Sequence, residues 1–359
     1  MNTIGSAIKL TLFGASHDEF IGCVLDGIPA GFYINEKNIE ADLMLRKPAP
    51  GIGTSRIEDD RPAISGAVRG ITTGAPVVIT FANNNVRDTD YEDMRRVPRP
   101  GHADYPAYCK YGRAHDIRGG GMFSGRMTAP LVAAGGLLRD FLGAYNIYVG
   151  SYVSRIGNIS DTGVYSPKDV MRISRTNPIR AMSQSLEMQM KAEILCAKSD
   201  GDSVGGVVRC MAEGLPAGLG EPFFDTLDGE ISKAVFSVPG VKGIEFGAGF
   251  KAASLRGSEN NDSYRIINGL VDTVTNNAGG VLGGMADGAP LDFSVVFKPT
   301  PSIAKKQNSV DLVDFEDAQL MVHGRHDPCI AHRGAIVVEA MTIFTLSDLL
   351  VREGYSCRS

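Results

Sequence analysis

The sequence predicts an α+β fold with antiparallel sheets, and three observations carry that expectation. Strand and helix signals are interspersed without the regular strand–helix alternation of a doubly wound parallel sheet. Similar segments recur in the same order in two halves of the chain. Long glycine-rich stretches separate the patterned segments and hold most of the reactive side chains.

Strands are expected at residues 22–26, 77–82, 206–213 and 292–298, where β-branched and apolar residues cluster between turn formers. Helices are expected at 35–45, 128–145, 226–236 and 337–353. Asn35 and Thr226 are the candidate caps, the latter with Glu230 in the next turn.

The repeat is legible in its turns. Asp26-Gly-Ile-Pro-Ala-Gly31 matches Glu213-Gly-Leu-Pro-Ala-Gly218, each after a Gly-x-Val run. Gly74-Ala-Pro76 and Gly288-Ala-Pro290 each introduce an apolar run. A basic, histidine-bearing segment follows in each half, RPGHADY from Arg99 and GRHDPC from Gly324, and then a helical pattern. The expectation is one domain over 1–359, with similar halves at roughly 1–150 and 190–359. Glycine-rich segments at 46–62, 83–125, 254–285 and 299–328 read as long loops, which are usually functional or disordered.

Composition narrows the function. The 359 residues are 43% hydrophobic and 21% charged, ordinary for a globular chain with a sizeable core. A net charge of −5 argues against nucleic-acid binding. Yet arginines gather at 46, 56 and 61, at 95, 96 and 99, at 113, 118 and 126, and at 325 and 333, a pattern suited to focusing positive potential on a small anion. Six scattered cysteines without C-x-x-C spacing read as reduced and cytoplasmic. The N-terminus lacks a signal-peptide pattern. No apolar stretch reads as approaching the roughly 20 residues that span a membrane.

The chemistry concentrates in a few segments. From Arg99 to Thr128 the chain packs His102, several arginines, Gly119–Gly121 and Ser124 together. Such glycines admit close approach of a phosphate or planar ring, and arginines suit bidentate phosphate contacts. His102 is a candidate proton shuttle. Neither a P-loop nor a dinucleotide-binding fingerprint is present. In Gly14-Ala-Ser-His-Asp18 the neighbours Ser16 and His17 could be imagined as nucleophile and base, but the G-x-S-x-G elbow fails at Asp18. His17 reads better as a proton donor to an oxyanion or phosphate. The run Arg325-His-Asp-Pro-Cys-Ile-Ala-His-Arg333 lacks zinc-ligand spacing and suits an anion site better than a metal. Asn276–Gly284 and Lys298-Pro-Thr-Pro-Ser302 add a second glycine-rich turn and a cation with two hydroxyls.

Taken together, these segments resemble the chorismate synthase family over nearly the whole chain. The family's G-E-S-H-G and D-G-x-P-x-G correspond to GASHD and DGIPAG here. Its R-P-G-H-A-D and R-G-G-G-R-S-S-A-R-E-T correspond to RPGHADY and RGGGMFSGRMT. Its H-A-G-G-x-L-G-G, K-P-T-x-S and R-x-D-P-C correspond to NAGGVLGG, KPTPS and GRHDPC, ahead of an E-A-M helix.

The resemblance implies a β–α–β sandwich, usually a homotetramer, of two pseudo-symmetric halves. It implies an anti-1,4-elimination of phosphate from 5-enolpyruvylshikimate-3-phosphate, requiring reduced FMN with no net redox change. NADPH enters only if the chain reduces its own flavin. By the same resemblance, His17 would protonate the leaving phosphate and His102 would manage the flavin's charge. Asp327 would help accept the substrate hydrogen by way of the flavin, and Ser16 and Ser124 would support the histidines or flavin. Arg46, Lys47, Arg56, Arg99, Arg126 and Arg325 would hold the substrate. Met122, Phe123, Ser124, Gly283, Lys298, Pro299, Thr300, Pro301, Ser302 and Arg325 would line FMN. The chain departs from the family's motifs in Met122 for Arg, Phe123 for Ser, Met127 for Glu, Ala15 for Glu and Asp18 for Gly.

Overall fold

The computed structural model describes residues 1–53, 59–83, 92–267, 269–322 and 326–355. Among them, the main strands form two five-stranded sheets. The first runs in the order Thr3–Ile4, Lys9–Phe13, Phe20–Asp26, Val77–Ala82, Ala63–Ser65. The second runs Val241–Phe246, Leu291–Phe297, Gly206–Glu213, Tyr148–Ile156, Ile159–Ser160. Pairing within both is antiparallel. The pleat explains the one-sided burial: Val77, Ile79 and Phe81 point inward from one strand, and Phe293, Val295 and Phe297 from its counterpart. The matched turns fall in matched places. DGIPAG follows a strand paired with Val77–Ala82, and EGLPAG follows a strand paired with Leu291–Phe297.

Helices fill the space between the sheets. Thr128–Gly143 packs on the first sheet, Ala331–Arg352 on the second, and the two pack on each other. Glu36–Arg46 and Leu227–Phe236 flank them. A largely apolar helix must be covered on nearly every side. Ala331–Arg352 is such a helix, buried almost throughout, with Glu339 and Asp348 among its buried residues. This corrects the reading that no segment approaches membrane-spanning length, because this 22-residue helix is long and apolar enough among the described residues. The sheets and helices around it make it core, with 94% of its most apolar window buried.

The layer also holds charge. Glu339 accepts from Arg139 at 2.9 Å, from Arg180 at 2.7 Å, from Arg175, and from both the backbone N–H and the hydroxyl of Ser151 at 3.0 and 2.8 Å. Asp42 accepts from Arg139 and Arg175 at 2.7 and 2.9 Å. Burial alone would favour the protonated acid. The Arg175, Arg180 and Arg139 charges overcome it and hold Glu339 far below the usual carboxylate range. Breaking such a buried set is far costlier than its net contribution suggests, because one charge is left unpaired.

The expected strands and helices are present, most within two residues, while the last helix begins six residues earlier than expected, at Ala331. Thr226 caps as expected, accepting from Gly229 N at 3.1 Å, whereas the Asn35 side chain makes no cap bond. Elements not expected from the sequence lie where the halves join. They include the strand Tyr148–Ile156 and the helix Gln184–Ser199. Neither has a clean apolar period: the strand buries Ser151 to serve Glu339, and the helix buries only Met190 and Ile194. The long loops also carry structure, including the helix Asp104–Tyr111 and the strand pair Gln307–Asp311 and Glu316–Leu320.

Candidate active site

A cavity of about 760 Å³ opens where the 99–126 segment of the first half meets the 298–302 and 326–333 segments of the second. Gly119 lines it, with Gly120 and Gly121 buried behind. Gly119, Gly120 and Gly121 all take positive φ, at 58°, 85° and 53°, which only glycine adopts without strain. A Cβ on Gly119 would lie 2.3 Å from His17 Cε1 and 2.6 Å from Ser16 Oγ, so the backbone there passes directly against both residues. The Gly121 carbonyl accepts from Ser16 N at 3.2 Å and anchors the GASHD turn.

His17 is 7% exposed and reaches the cavity. Ser16 is fully buried behind it and does not line the cavity. His102 also lines the cavity, beside Gly120, with Nδ1 at 2.5 Å from Asp104 Oδ1. Ser124 lines the cavity and caps the turn that follows it, accepting from Arg126 N at 3.3 Å.

The cations are held by acids. Asp60 accepts from Arg46 at 2.5 Å and from Arg126 on its other oxygen, and all three line the cavity. Burial would raise the Asp60 carboxyl, but the Arg46 and Arg126 charges bring it below its ordinary range. Asp104 grips Arg99 through Nε at 2.7 Å and Nη2 at 2.8 Å. Asp327 accepts from Arg333, whose Nε donates to Arg46 O at 2.9 Å. Lys47, Lys242 and Lys298 complete the positive lining. Lys298 donates to Gly101 O, and burial together with nearby Lys242 lowers its proton affinity.

The apolar face comes from Met122, Phe123, Phe236, Val238 and Phe297. Phe123 stands 5.8 Å from His115, centroid to centroid. Met127, at the family's Glu position, points away into the core at 6% exposure.

The cavity thus gathers most of the residues singled out in the sequence: His17, His102, Ser124, Met122, Phe123, Arg46, Lys47, Arg99, Arg126, Lys298, Thr300, Pro301, Ser302 and Asp327. Pro299 and Gly283 are not among its lining. Gly283 sits in the turn between Val281–Leu282 and Met285–Ala286, beside the start of the Leu227–Phe236 helix. Arg56 and Arg325 lie outside the described residues. Sequence reasoning missed Asp60, Lys242 and the 236–241 segment, and placed Arg333 in an anion site without pairing it with Asp327. Asp60 follows Asp59 in a polar stretch, and nothing local marks one of the pair as buried. Among the described residues no cluster of histidine, cysteine and acidic side chains has the arrangement of a metal site.

Three kinds of comparison with known proteins bear on the family. The family model described as chorismate synthase matches residues 8–351. A chorismate synthase of Dehalococcoides mccartyi (strain BAV1) is 45% identical over 355 residues, covering 98% of this chain and 97% of that protein. Chorismate synthases of Korarchaeum cryptofilum and Pyrococcus abyssi are each 43% identical, over 97% and 99% of this chain and 97% and 99% of their own lengths. A crystal structure of chorismate synthase superposes with a TM-score of 0.77 at 25% identity, covering 98% of this chain and 94% of that one.

Proposed function

Because the chain belongs to the chorismate synthase family, we propose that it eliminates phosphate from 5-enolpyruvylshikimate-3-phosphate to give chorismate, the last common step toward the aromatic amino acids. The observation that carries the reading is the joining of two histidines, His17 and His102, with four arginines in one cavity. A phosphorylated dicarboxylate needs multiple cations, and a C–O cleavage needs a proton for the departing phosphate.

The residues present also fit a flavin mononucleotide. Thr300 Oγ1 is buried in the cavity lining without a hydrogen-bond partner among the described residues. Lys298 and Lys242 provide cations near it, and Phe123 and Met122 provide an apolar face for a planar ring. The chemistry that reduced FMN supplies when bound is transient electron density for a C–H that is not acidic, with no net redox change.

The protein's part is placement and proton handling. Arg46, Arg126, Arg99 and Arg333 hold the anionic groups and neutralise charge as phosphate departs. His17 delivers the proton that lets phosphate leave. His102 serves as an acid–base group lining the cavity beside Gly120. Asp327, steadied by Arg333, would help accept the substrate's hydrogen once the flavin is bound. Electrostatic stabilisation of this kind is strongest where water is excluded, which the buried Asp60–arginine set favours.

The same reading extends to assembly and cell biology. The chain acts as one domain of two pseudo-symmetric halves, in the cytoplasm. It assembles as a homotetramer, as the family resemblance implies, and the exposed Phe223 and Phe224 mark an apolar surface that such an assembly could cover. NADPH is needed only if flavin reduction is intrinsic.

The test is anaerobic turnover of 5-enolpyruvylshikimate-3-phosphate with chemically reduced FMN, following chorismate and phosphate together. Equal release of both, absent with oxidised FMN, is the expected result. Phosphate without chorismate would indicate a hydrolase, and flavin binding without either product would indicate a non-catalytic relative.

A further inference from the structure

Asp104 opens the helix Asp104–Tyr111 and lies buried behind His102 at 4% exposure. Its Oδ1 is 2.5 Å from His102 Nδ1 and 2.8 Å from Arg99 Nη2. Its Oδ2 accepts from Arg99 Nε at 2.7 Å and from Arg99 N at 3.1 Å. Burial would raise this carboxyl, but hydrogen bonds from Arg99 and His102 hold it well below the usual range, so it is ionised at neutral pH.

An ionised carboxylate can only accept. The hydrogen in the 2.5 Å contact therefore belongs to His102 Nδ1. Arg99 Nη2 also comes within 3.1 Å of Nδ1. With Nδ1 already carrying hydrogen, that guanidinium nitrogen donates to Oδ1 and not to the ring. Nε2 is then the ring atom left for chemistry. It lies beside Gly120, where Nε2 and Cε1 are both 3.6 Å from the place a Cβ would take, and His102 itself lines the cavity.

We propose that Asp104 is a positioning residue: it fixes His102 in the Nδ1–H tautomer with Nε2 presented to the cavity, and with the same carboxylate it locks the Arg99 guanidinium beside it. The role of His102 as acid–base group rests on the proposed function; the tautomer does not. Other charged and titratable groups surround the ring. Lys298 arrives from the second half through its bond to Gly101 O, and His115, with Asp116 and Arg95 beyond it, comes from the segment after the helix. Among these, Asp104 is the one in direct contact with a ring nitrogen through an acceptor oxygen.

The experiment is long-range ¹H–¹⁵N correlation of the histidine rings at alkaline pH, on the full chain, with the His102 signals assigned by their loss in His102→Gln. Wild-type protein is expected to show protonated Nδ1 and bare Nε2. In Asp104→Asn the side-chain amide offers a donor, so the ring should move to the Nε2–H tautomer, and kcat should fall by about 10²–10⁴-fold. Arg99→Lys should raise KM while leaving the tautomer as in wild type. An Nε2–H tautomer in the wild-type spectrum overturns the proposal without any variant having to fold. So does an unchanged tautomer in a folded Asp104→Asn protein. Because the spectrum needs no turnover, loss of the proposed activity would leave this result readable.

Discussion

Gly135 and Ala340 bring the two central helices to backbone contact: a Cβ on Gly135 would lie 2.5 Å from both Cα and Cβ of Ala340. The contact joins the helix that backs the first sheet to the helix that backs the second, so the cavity between their loops depends on it.

Gly135→Ala therefore destabilises the protein. Helix propensity alone would favour alanine by about 1 kcal/mol. Overpacking a dense core costs roughly 1–3 kcal/mol, and here the obstacle is backbone that cannot swing aside. Thermal melting should show a Tm lower than wild type by a few degrees. A Tm equal to or above wild type would mean the helices separate freely.

Gly119→Ala should act on His17 more than on the fold. The new methyl meets His17 Cε1 at 2.3 Å, at a position whose φ of 58° already strains any side chain. The imidazole must move, and the proton for the leaving phosphate goes with it. The expected loss in kcat is at least about 10²-fold, the scale of a displaced general acid. Steady-state kinetics with a circular dichroism control checks this, and near-wild-type kcat would refute it.

Asp60→Asn should appear mainly in substrate binding. The carboxylate neutralises and aims Arg46 and Arg126 together. An uncharged amide offers one acceptor oxygen and turns its NH2 donor toward the second guanidinium, so the two cations are left to repel each other. We expect KM to rise about tenfold or more with a smaller change in kcat, each tenfold corresponding to about 1.4 kcal/mol. A changed kcat at constant KM would place Asp60 in the chemical step instead.

His332 makes stability depend on pH. Its ring is 1% exposed, and neither nitrogen has a hydrogen-bond partner among the described residues. Burial lowers its value from 6.5 to about 4. Between those values the unfolded chain binds the proton and the folded protein resists it. Stability is thus fully present above about 6.5 and declines as pH falls toward 4, by on the order of 3 kcal/mol. His332→Leu should flatten that part of the curve in denaturant melts from pH 4 to 7. A variant curve parallel to wild type would exclude the histidine as the cause.

Much of the architecture was legible in local pattern. The strands at Val77–Ala82 and Gly206–Glu213 stand where β-branched runs sit between turn residues, and the recurrent G-x-P-A-G turns mark corresponding places in the two sheets. The helix Ala331–Arg352 was harder to judge. Its apolar length is equally compatible with lipid or with protein around it, and only the sheets and helices packed on it decide between them.

The sequence by itself determined the chemical inventory: the histidines, the arginines, the glycine triplet and the order of the motifs, each recognisable because its residue types and spacing are local. Tertiary structure alone decided the pairings. Asp60 with Arg46 and Arg126, Asp104 with His102, and Glu339 with Arg139, Arg175 and Arg180 are choices among many charged side chains. Spacing along the chain does not specify which acid is taken out of water beside which base. That follows from folding, because a buried charge persists only where the packed backbone brings it a partner.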